Sequence, residues 1–341
     1  MVEAAPPPLH CGLPDEIAIW EILVRLPPKS FLRCPAVCRA WHSATTARDF
    51  LLAHHARQPA LPLIYGLGRD IESLDIIPFD QRVGVATADD RLLSVARIGG
   101  PYVRPCISCD GLQVLYIGVD QLSIVNPATR QCARLPGFTV TDTHRPVGMY
   151  PHSLSGEYRI LLAPHDPDDS YQLYTLGSSQ PPRQIDIDGP SFGEMLAPHG
   201  TDQFVMDEIY GGVLFEVDAM LGMFSLNAEF TSIGIWAMHN YESRVWAFKY
   251  RVELPLAELT VQFGDFKPYC CRVPSSWDGD VSMLLQFGDW LLQLDMDGKV
   301  VASLRRHKGL LPTQHRRKQT LVQHSFFTAL EGYVVNASPF M

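Results

Sequence analysis

The sequence has 341 residues, of which 46% are hydrophobic and 19% are charged, and its formal net charge at pH 7 is −9. This length and composition are typical of a globular protein that has room for one small and one large domain. No apolar run reaches the length of about 18 residues that a membrane span needs, and the N-terminus lacks the basic and apolar regions of a secretory signal peptide. We therefore expect no contact with a membrane and a location in the cytoplasm, the nucleus or both.

The eight cysteines show neither the framework of a disulfide-stapled domain nor the spacing of a zinc site. Cys106 and Cys109 form one CxxC pair, but a tetrahedral zinc site needs four ligands, and no second pair lies at a useful spacing. Cys270 and Cys271 are adjacent, so their side chains point to opposite faces if they lie in a strand. We expect reduced cysteines buried in strands, no metal site and no cofactor.

Charge is distributed unevenly along the chain. Residues 58–298 contain 15 Lys and Arg against 31 Asp and Glu, a net charge of −16, whereas residues 299–341 carry +6. A body this acidic argues against nucleic acid as a partner, because phosphates need a basic face. The basic residues cluster at 305–308 and 315–318. The favoured interpretation is a solvated loop that neutralises part of the acidic body, and the alternative is a nuclear import signal.

In chain order, the first twelve residues contain three consecutive prolines and predict a short disordered tail. Residues 13–41 then predict three short helices. The first begins after Leu13-Pro14, with two acids in its first turn, and ends at Pro27-Pro28, because proline lacks the backbone donor. A further proline separates the second helix from the third. His54-His55, at the end of this region, are predicted on the surface.

The first of these helices is apolar around most of its circumference. At about 100° per residue, its apolar side chains fall into two stripes. The first stripe is Ile17, Trp20 and Val24, and the second is Ile19, Ile22, Leu23 and Leu26. A helix that is apolar on two sides needs two surfaces to bury it, and a module of this size supplies one. The second surface is expected to belong to another protein.

The same region resembles the F-box in the form common in plant F-box proteins, with one residue more after Leu-Pro than that spacing has. The matching segments are Leu13-Pro14, Glu21-Ile22-Leu23, Arg25-Leu26-Pro27, Lys29-Ser30, Arg33-Cys34, Val37-Cys38-Arg39 and Trp41. The resemblance implies docking onto a Skp1-like adaptor and, through Skp1, onto a cullin–RING ubiquitin ligase. The Skp1 contacts that it implies are Leu13, Pro14, Ile17, Ile22, Leu23, Leu26, Pro27, Val37 and Trp41. The alternative is a small helical cap that packs on its own chain.

From about residue 60 the helical period disappears, and short apolar runs alternate with Gly, Pro, Asn and Asp. Such runs at a spacing of about 8–12 residues predict an all-β domain. Its length is too great for one sandwich and fits a β-propeller of about six blades, or seven, at about 40–50 residues per blade. The predicted fold class is thus α+β and multidomain. The predicted boundaries are a tail at 1–12, a three-helix F-box at 13–55, a linker at 56–65 and the β-propeller-like domain at 66–341.

Several segments of the β region resemble the F-box-associated domain of plant F-box proteins. They include Cys109–Leu112, Val125–Arg130, Leu135-Pro136, Tyr171–Gly177, Ile235-Trp236, Val245-Trp246 and His324–Phe327. The resemblance covers most of residues 100–330. It implies a domain that binds the target protein of the ligase.

No group of residues in the sequence has the pattern of a catalytic site. There is no GxSxG nucleophile elbow, no dinucleotide-binding glycine motif and no P-loop. We therefore expect a non-catalytic adaptor, the substrate-recognition subunit of a Skp1–cullin–F-box (SCF) E3 ubiquitin ligase. The sequence leaves the identity of the target open. The alternative function is a Skp1-independent scaffold for protein interactions.

Overall fold

The computed structural model describes most of the chain. The described residues are 13–67, 73–78, 94–118, 121–136, 144–152, 155–166, 169–185, 214–217, 220–227, 229, 231–240, 245–266, 283–305 and 310–341. The chain divides into two compact units. The helical unit comprises Met1–Ala60 and Lys318–His324, and the β unit comprises Leu61–Arg317 and Ser325–Met341. The predicted tail at 1–12 and the pair Cys270-Cys271 lie outside the described residues.

Four helices joined by tight turns form the helical unit. Helix α1 is continuous but changes its winding, with an α turn at Asp15–Ile17, a π turn at Ala18–Ile22 and a 3-10 turn at Leu23–Arg25. The remaining elements are α2 at Pro28–Phe31, a 3-10 turn at Cys34–Ala36, α3 at Arg39–Thr46 and α4 at Arg48–Arg57. The three predicted helices are present, and α4 is a fourth that the prediction did not include.

The change of winding in α1 corrects the prediction of two regular apolar stripes. A π turn closes with i to i+5 hydrogen bonds and a 3-10 turn with i to i+3 bonds. The backbone N–H of Leu23 accordingly bonds the carbonyl of Ala18, five residues back. The rotation per residue therefore departs from the α-helical value that the stripes assumed. As a result, Ile19, Leu23 and Val24 are buried together, although they come from both predicted stripes.

The connection between the last helix of the helical unit and the first strand is shorter than the predicted linker at 56–65. Helix α4 continues to Arg57, and the first strand begins at Ala60. Only Gln58 and Pro59 separate the two elements. The strand that begins inside the predicted linker pairs with β2.

Short strands make up nearly all of the described β unit. Their bounds are β1 Ala60–Leu67, β2 Ser73–Pro78, β3 Ala96–Gly99, β4 Arg104–Cys109, β5 Leu112–Tyr116, β6 Leu122–Asn126, β7 Gln131–Arg134, β8 His144–Pro151, β9 Tyr158–Pro164, β10 Tyr171–Thr175, β11 Arg183–Ile185, β12 Leu214–Val217, β13 Met220–Leu226, β14 Ser232–Asn240, β15 Val245–Glu253, β16 Met283–Phe287, β17 Trp290–Leu294, β18 Val300–Arg305, β19 Leu310–Lys318 and β20 Val334–Val335. Two short helices accompany them, α5 at Leu256–Phe263 and α6 at Phe326–Ala329.

The described strands form five small, mainly antiparallel sheets. Their orders are β19-β1-β2-β3, β20-β7-β6-β5-β4, β11-β10-β9-β8, β12-β13-β14-β15 and β16-β17-β18. Within each sheet, most neighbours are consecutive along the chain, because short turns favour hairpins. The exceptions are β19 and β20, which return from the C-terminal part to join the first two sheets. The predicted fold class, N-terminal helices followed by an all-β domain, is confirmed.

Four pairs of the described sheets share a buried apolar cluster. Buried apolar clusters join the first sheet to the second and the second to the third. Another cluster joins the fourth sheet to the fifth, and a small one, built around Ile64 and Leu291, joins the fifth sheet back to the first. These contacts are among those that a propeller requires, although none of the clusters in the described residues joins the third sheet to the fourth. Closure of the ring and the count of about six blades stay predictions, since the described residues contain five sheets.

The basic segment near the C-terminus is not a solvated loop in its second half. Residues Leu310–Lys318 form β19, which lies beside β1 in the first sheet. Arg317 is only 1% exposed. The interpretation of 315–318 as a solvated loop is therefore wrong, because strand pairing places one of its arginines inside the β unit.

Candidate functional site

The helical unit has its own core of aromatic and aliphatic side chains. Phe50 of α4 is fully buried, with its ring centroid 5.6 Å from that of Phe31 and 5.4 Å from that of Trp20. Leu23 and Val24 of α1 are buried as well. One side of α1 is therefore covered by the unit's own helices.

The other apolar side chains of this unit remain exposed. On α1 and just before it, the exposed side chains are Leu13, Ile17, Trp20 and Ile22, with exposed fractions of 37% to 48%. Leu32, just after α2, is 62% exposed, and Val37, just after the 3-10 turn, is 53% exposed. Trp20 touches Phe50 on one side while its other side is exposed. Exposed aliphatic and aromatic side chains in this number mark a surface for another molecule. The described chain leaves this apolar surface uncovered.

The nine residues predicted to contact Skp1 occupy three kinds of position. The exposed ones are Leu13, Pro14, Ile17, Ile22, Pro27 and Val37. Leu26 and Trp41 are half-buried. Leu23, at 3% exposure, is a core residue of the helical unit. The structure thus brings six of the nine to the surface, and the role that remains for Leu23 is to support that surface from inside.

His54 is a core residue that sequence reasoning placed on the surface. It is fully buried on α4. Its Nε2 atom lies 2.9 Å from the carbonyl oxygen of Leu26, to which it donates, and the side-chain amide of Gln58 donates to the same oxygen at 3.3 Å. Because α1 ends just before Leu26, this carbonyl has no helical donor. Burial lowers the pKa of the His54 imidazole, which keeps it neutral.

A segment from the far end of the chain completes the helical unit. The ring nitrogen Nδ1 of His55 donates to the carbonyl of Gln319 at 3.3 Å. The next three residues, Thr320, Leu321 and Val322, are buried. The pair Leu321-Val322, directly after the basic run, is the one local signal for an apolar contact. Nothing in the local sequence indicates that its partner lies more than 250 positions away.

Burial disfavours the thiolate form of the cysteines in the described β strands. Burial raises the pKa of Cys106 and of Cys109 to about 12 and that of Cys132 to about 11, so all three are neutral at pH 7. Within the described ranges, no three His, Cys, Asp or Glu side chains come together as a metal site. No helix among the described residues is long and apolar enough to cross a membrane.

Two sequence comparisons agree with this location of the site. A sequence model of the F-box-like family matches residues 10–56. F-box protein At5g18160 of Arabidopsis thaliana is 29% identical over 153 residues, which are 44% of this chain and 39% of that protein. The match therefore spans well under half of the relative. The family model covers α1 to α3 and nearly all of α4, and hence the exposed apolar surface.

Solved structures show only distant likeness. Apo AztD from Citrobacter koseri matches with a TM-score of 0.25 and 11% identity, over 72% of this chain and 73% of that chain. A protein of unknown function from Bacteroides caccae matches with a TM-score of 0.24 and 9% identity, over the same shares of the two chains. Similarities this low carry no argument about fold or function.

Proposed function

We propose that this chain, whose residues 10–56 match the F-box-like family model, is the substrate-recognition subunit of an SCF-type ubiquitin ligase. In this proposal the helical unit binds a Skp1-like adaptor and, through it, the cullin and RING subunits. The β unit binds the target protein. The chain contributes no nucleophile, because ubiquitin transfer belongs to the other subunits.

The observation that carries the proposal is the uncovered apolar side of α1. Ile17 and Ile22 are 44% and 48% exposed although Leu23, beside them, is 3% exposed. Burying an aliphatic side chain of this size contributes about 1.5–3 kcal/mol. Several such side chains exposed on one small unit therefore favour a permanent partner. The F-box-like match over the same residues supports a Skp1-like adaptor as that partner.

The contact residues divide by burial into those that touch the partner and those that hold the surface in shape. Leu13, Ile17, Ile22 and Val37 are proposed to touch the adaptor, with Pro14 and Pro27 at the two ends of α1. Leu23 is proposed to act through α1, because it is buried beneath the surface. A charged substitution at Leu23 would test folding rather than binding.

The test is co-purification of the full chain with a Skp1-like adaptor. We expect the wild-type chain to form a 1:1 complex, measured by size-exclusion chromatography with light scattering. Ile17→Asp combined with Ile22→Asp is expected to abolish the complex, because both charges would have to be buried in the contact.

The matched control is Val261→Asp, which changes the same kind of side chain on α5 of the β unit. Val261 is 91% exposed, so this variant is expected to bind the adaptor like the wild type. Equal binding by the wild type and the double variant would contradict the proposal. A wild-type chain that is monodisperse by itself and ignores the adaptor would instead support the alternative, a Skp1-independent scaffold.

Ubiquitin transfer in this proposal depends on proximity. Holding a target's lysines near a charged ubiquitin-conjugating enzyme raises their effective concentration for transfer. The net charge of −16 over residues 58–298 favours basic or neutral targets through electrostatic complementarity.

Proximity labelling with the intact chain, compared with a chain that lacks residues 1–57, is the experiment that identifies targets. Degradation targets are expected to accumulate around the truncated chain, and a uniformly acidic set of partners would contradict the charge argument.

A further inference from the structure

Arg317 is the largest fully buried side chain among the described residues. Its three guanidinium nitrogens are all buried, and none of them has a hydrogen-bond partner in the described part of the chain. Taking a charge out of water without a partner costs several kcal/mol, and even a neutral N–H left unpaired is unfavourable. Retention of such a side chain on β19 indicates that an acceptor meets it there.

Tyr65, a polar neighbour of Arg317, bonds a buried glutamine whose amide donors are unused. Tyr65 lies on β1, the strand beside β19, and its hydroxyl donates to Gln113 Oε1 at 3.5 Å. Gln113, on β5, is fully buried, and its Nε2 amide has no partner among the described residues. The Tyr65 hydroxyl is the donor in this bond and the Gln113 side-chain oxygen is the acceptor. The groups of this pair that remain unused are therefore mainly the N–H donors of the Gln113 amide.

Ser108 adds a third unused polar group next to Gln113. The two residues are direct partners in the pairing of β4 with β5, so their side chains share one face of the second sheet. The Ser108 hydroxyl is buried, and it has no hydrogen-bond partner within the described residues. A hydroxyl can donate to an oxygen that enters between the two sheets.

The neighbourhood supplies no compensating negative charge among the described residues. Burial raises the pKa of Tyr65, and the Arg317 charge opposes this effect, which shows that the two groups are near each other. Cys106 also interacts with Tyr65, but burial raises the pKa of its thiol to about 12, so it is neutral. No described carboxylate acts on Arg317. Tyr65 itself belongs to the apolar cluster between the first two sheets.

We propose that Arg317 binds a small oxyanion, a carboxylate or a phosphate group, inside the β unit, with Gln113 and Ser108 as additional donors. A guanidinium presents paired N–H groups that match two oxygens of such an anion at once. Arg317, Gln113 and the Ser108 hydroxyl are buried, which limits the ligand to a small anion. Bound there, it links β19, the strand that returns to the first sheet, to β5 of the second sheet.

Thermal unfolding of the full chain tests this site, in chloride, acetate and phosphate at equal ionic strength. The wild type is expected to melt at higher temperature in acetate or phosphate than in chloride, and to rise further with anion concentration, as binding to the folded state requires. Arg317→Met is expected to lose this response. The anion that produces the larger shift identifies which oxyanion the site prefers.

The matched control is Arg183→Met, which removes an exposed arginine from β11 and is expected to respond like the wild type. An equal response of the wild type and Arg317→Met would overturn the proposal, because the anion effect is then unspecific. A loss of stability in Arg317→Met that is the same in all three salts would also overturn it, since Arg317 is then paired within the chain. If Arg317→Met does not fold, Gln113→Met provides a second test. Acetate or phosphate is expected to raise its melting temperature less than that of the wild type. An equal rise would contradict the site.

Discussion

At the scale of single residues, His54 shows how one buried side chain stabilises the end of α1. Its neutral imidazole donates to the Leu26 carbonyl and packs on Phe31, with ring centroids 4.7 Å apart. Burial is the main cause that lowers its pKa, and the neighbouring His55 lowers it further. In the unfolded chain a histidine titrates near pH 6.5. The unfolded state therefore binds the proton first as the pH falls.

The helical unit is thus expected to have the full His54 contribution above pH 6.5 and to lose it as the pH falls from there toward the folded pKa. We expect amide hydrogen exchange over residues 13–58, corrected for intrinsic rates, to show less protection at pH 5.5 than at pH 7.5. His54→Gln keeps a donor but does not titrate, so its protection is expected to depend less on pH. His42→Gln, at an exposed position of α3, is expected to keep the wild-type pH dependence. The same pH dependence in His54→Gln and wild type would refute this role.

At the scale of elements, the turn between β17 and β18 requires a glycine. Gly298 has a φ of +77°, and a Cβ atom there would collide with the backbone carbonyl of Glu253. Glu253 ends β15 of the fourth sheet, whereas the turn belongs to the fifth. The close approach of two backbones therefore depends on a residue without a side chain.

Gly298→Ala is expected to destabilise the β unit by about 2 kcal/mol or more, since about 1 kcal/mol of left-handed backbone strain is added to a backbone collision. The matched control is Gly118→Ala, because Gly118 has a φ of +85° and no atom within 4 Å of the position of a new Cβ. Gly118→Ala is expected to lower the free energy of unfolding only by the left-handed backbone strain. Urea unfolding followed by circular dichroism measures both variants, and equal losses would show that the collision is relieved without cost.

At the scale of the whole molecule, the helical unit combines two segments that are far apart in the sequence. Residues 318–324 belong to the helical unit although the β unit lies between them and α4 in the sequence. Val322 is 2% exposed, whereas Gln323 beside it is exposed. The adaptor surface is therefore expected to depend on a segment that the F-box-like match at 10–56 does not include.

Val322→Asp is expected to lower the stability of the helical unit by about 2 kcal/mol or more, because it buries an unpaired carboxylate. We expect it to reduce capture of a Skp1-like adaptor, measured by co-purification from cells at equal expression. Gln323→Asp is the control and is expected to capture the adaptor normally. Normal capture by Val322→Asp would show that the helical unit is complete without the C-terminal segment.

Local sequence was sufficient to predict the first three helices and the all-β character of the region that follows, but not α4 or the start of β1. Prolines at positions 14, 27 and 28 delimit α1 because proline can begin a helix but cannot continue one. Alternating apolar runs between turn residues determine the strands. The excess of apolar residues on α1 was enough to predict that some of them remain exposed, since the number of side chains exceeds what a small unit can bury. The F-box-like assignment follows from the same short-range pattern.

Only the tertiary structure decided which of those residues face inward and which distant segments meet. Leu23, a predicted contact, lies in the core of the helical unit, at the point where the π turn of α1 passes into its 3-10 turn. The burial of Arg317 and the return of residues 318–324 follow from contacts between segments more than 200 positions apart. Such contacts have no local signature, because they depend on the sum of many weak interactions that form only when the sheets are assembled.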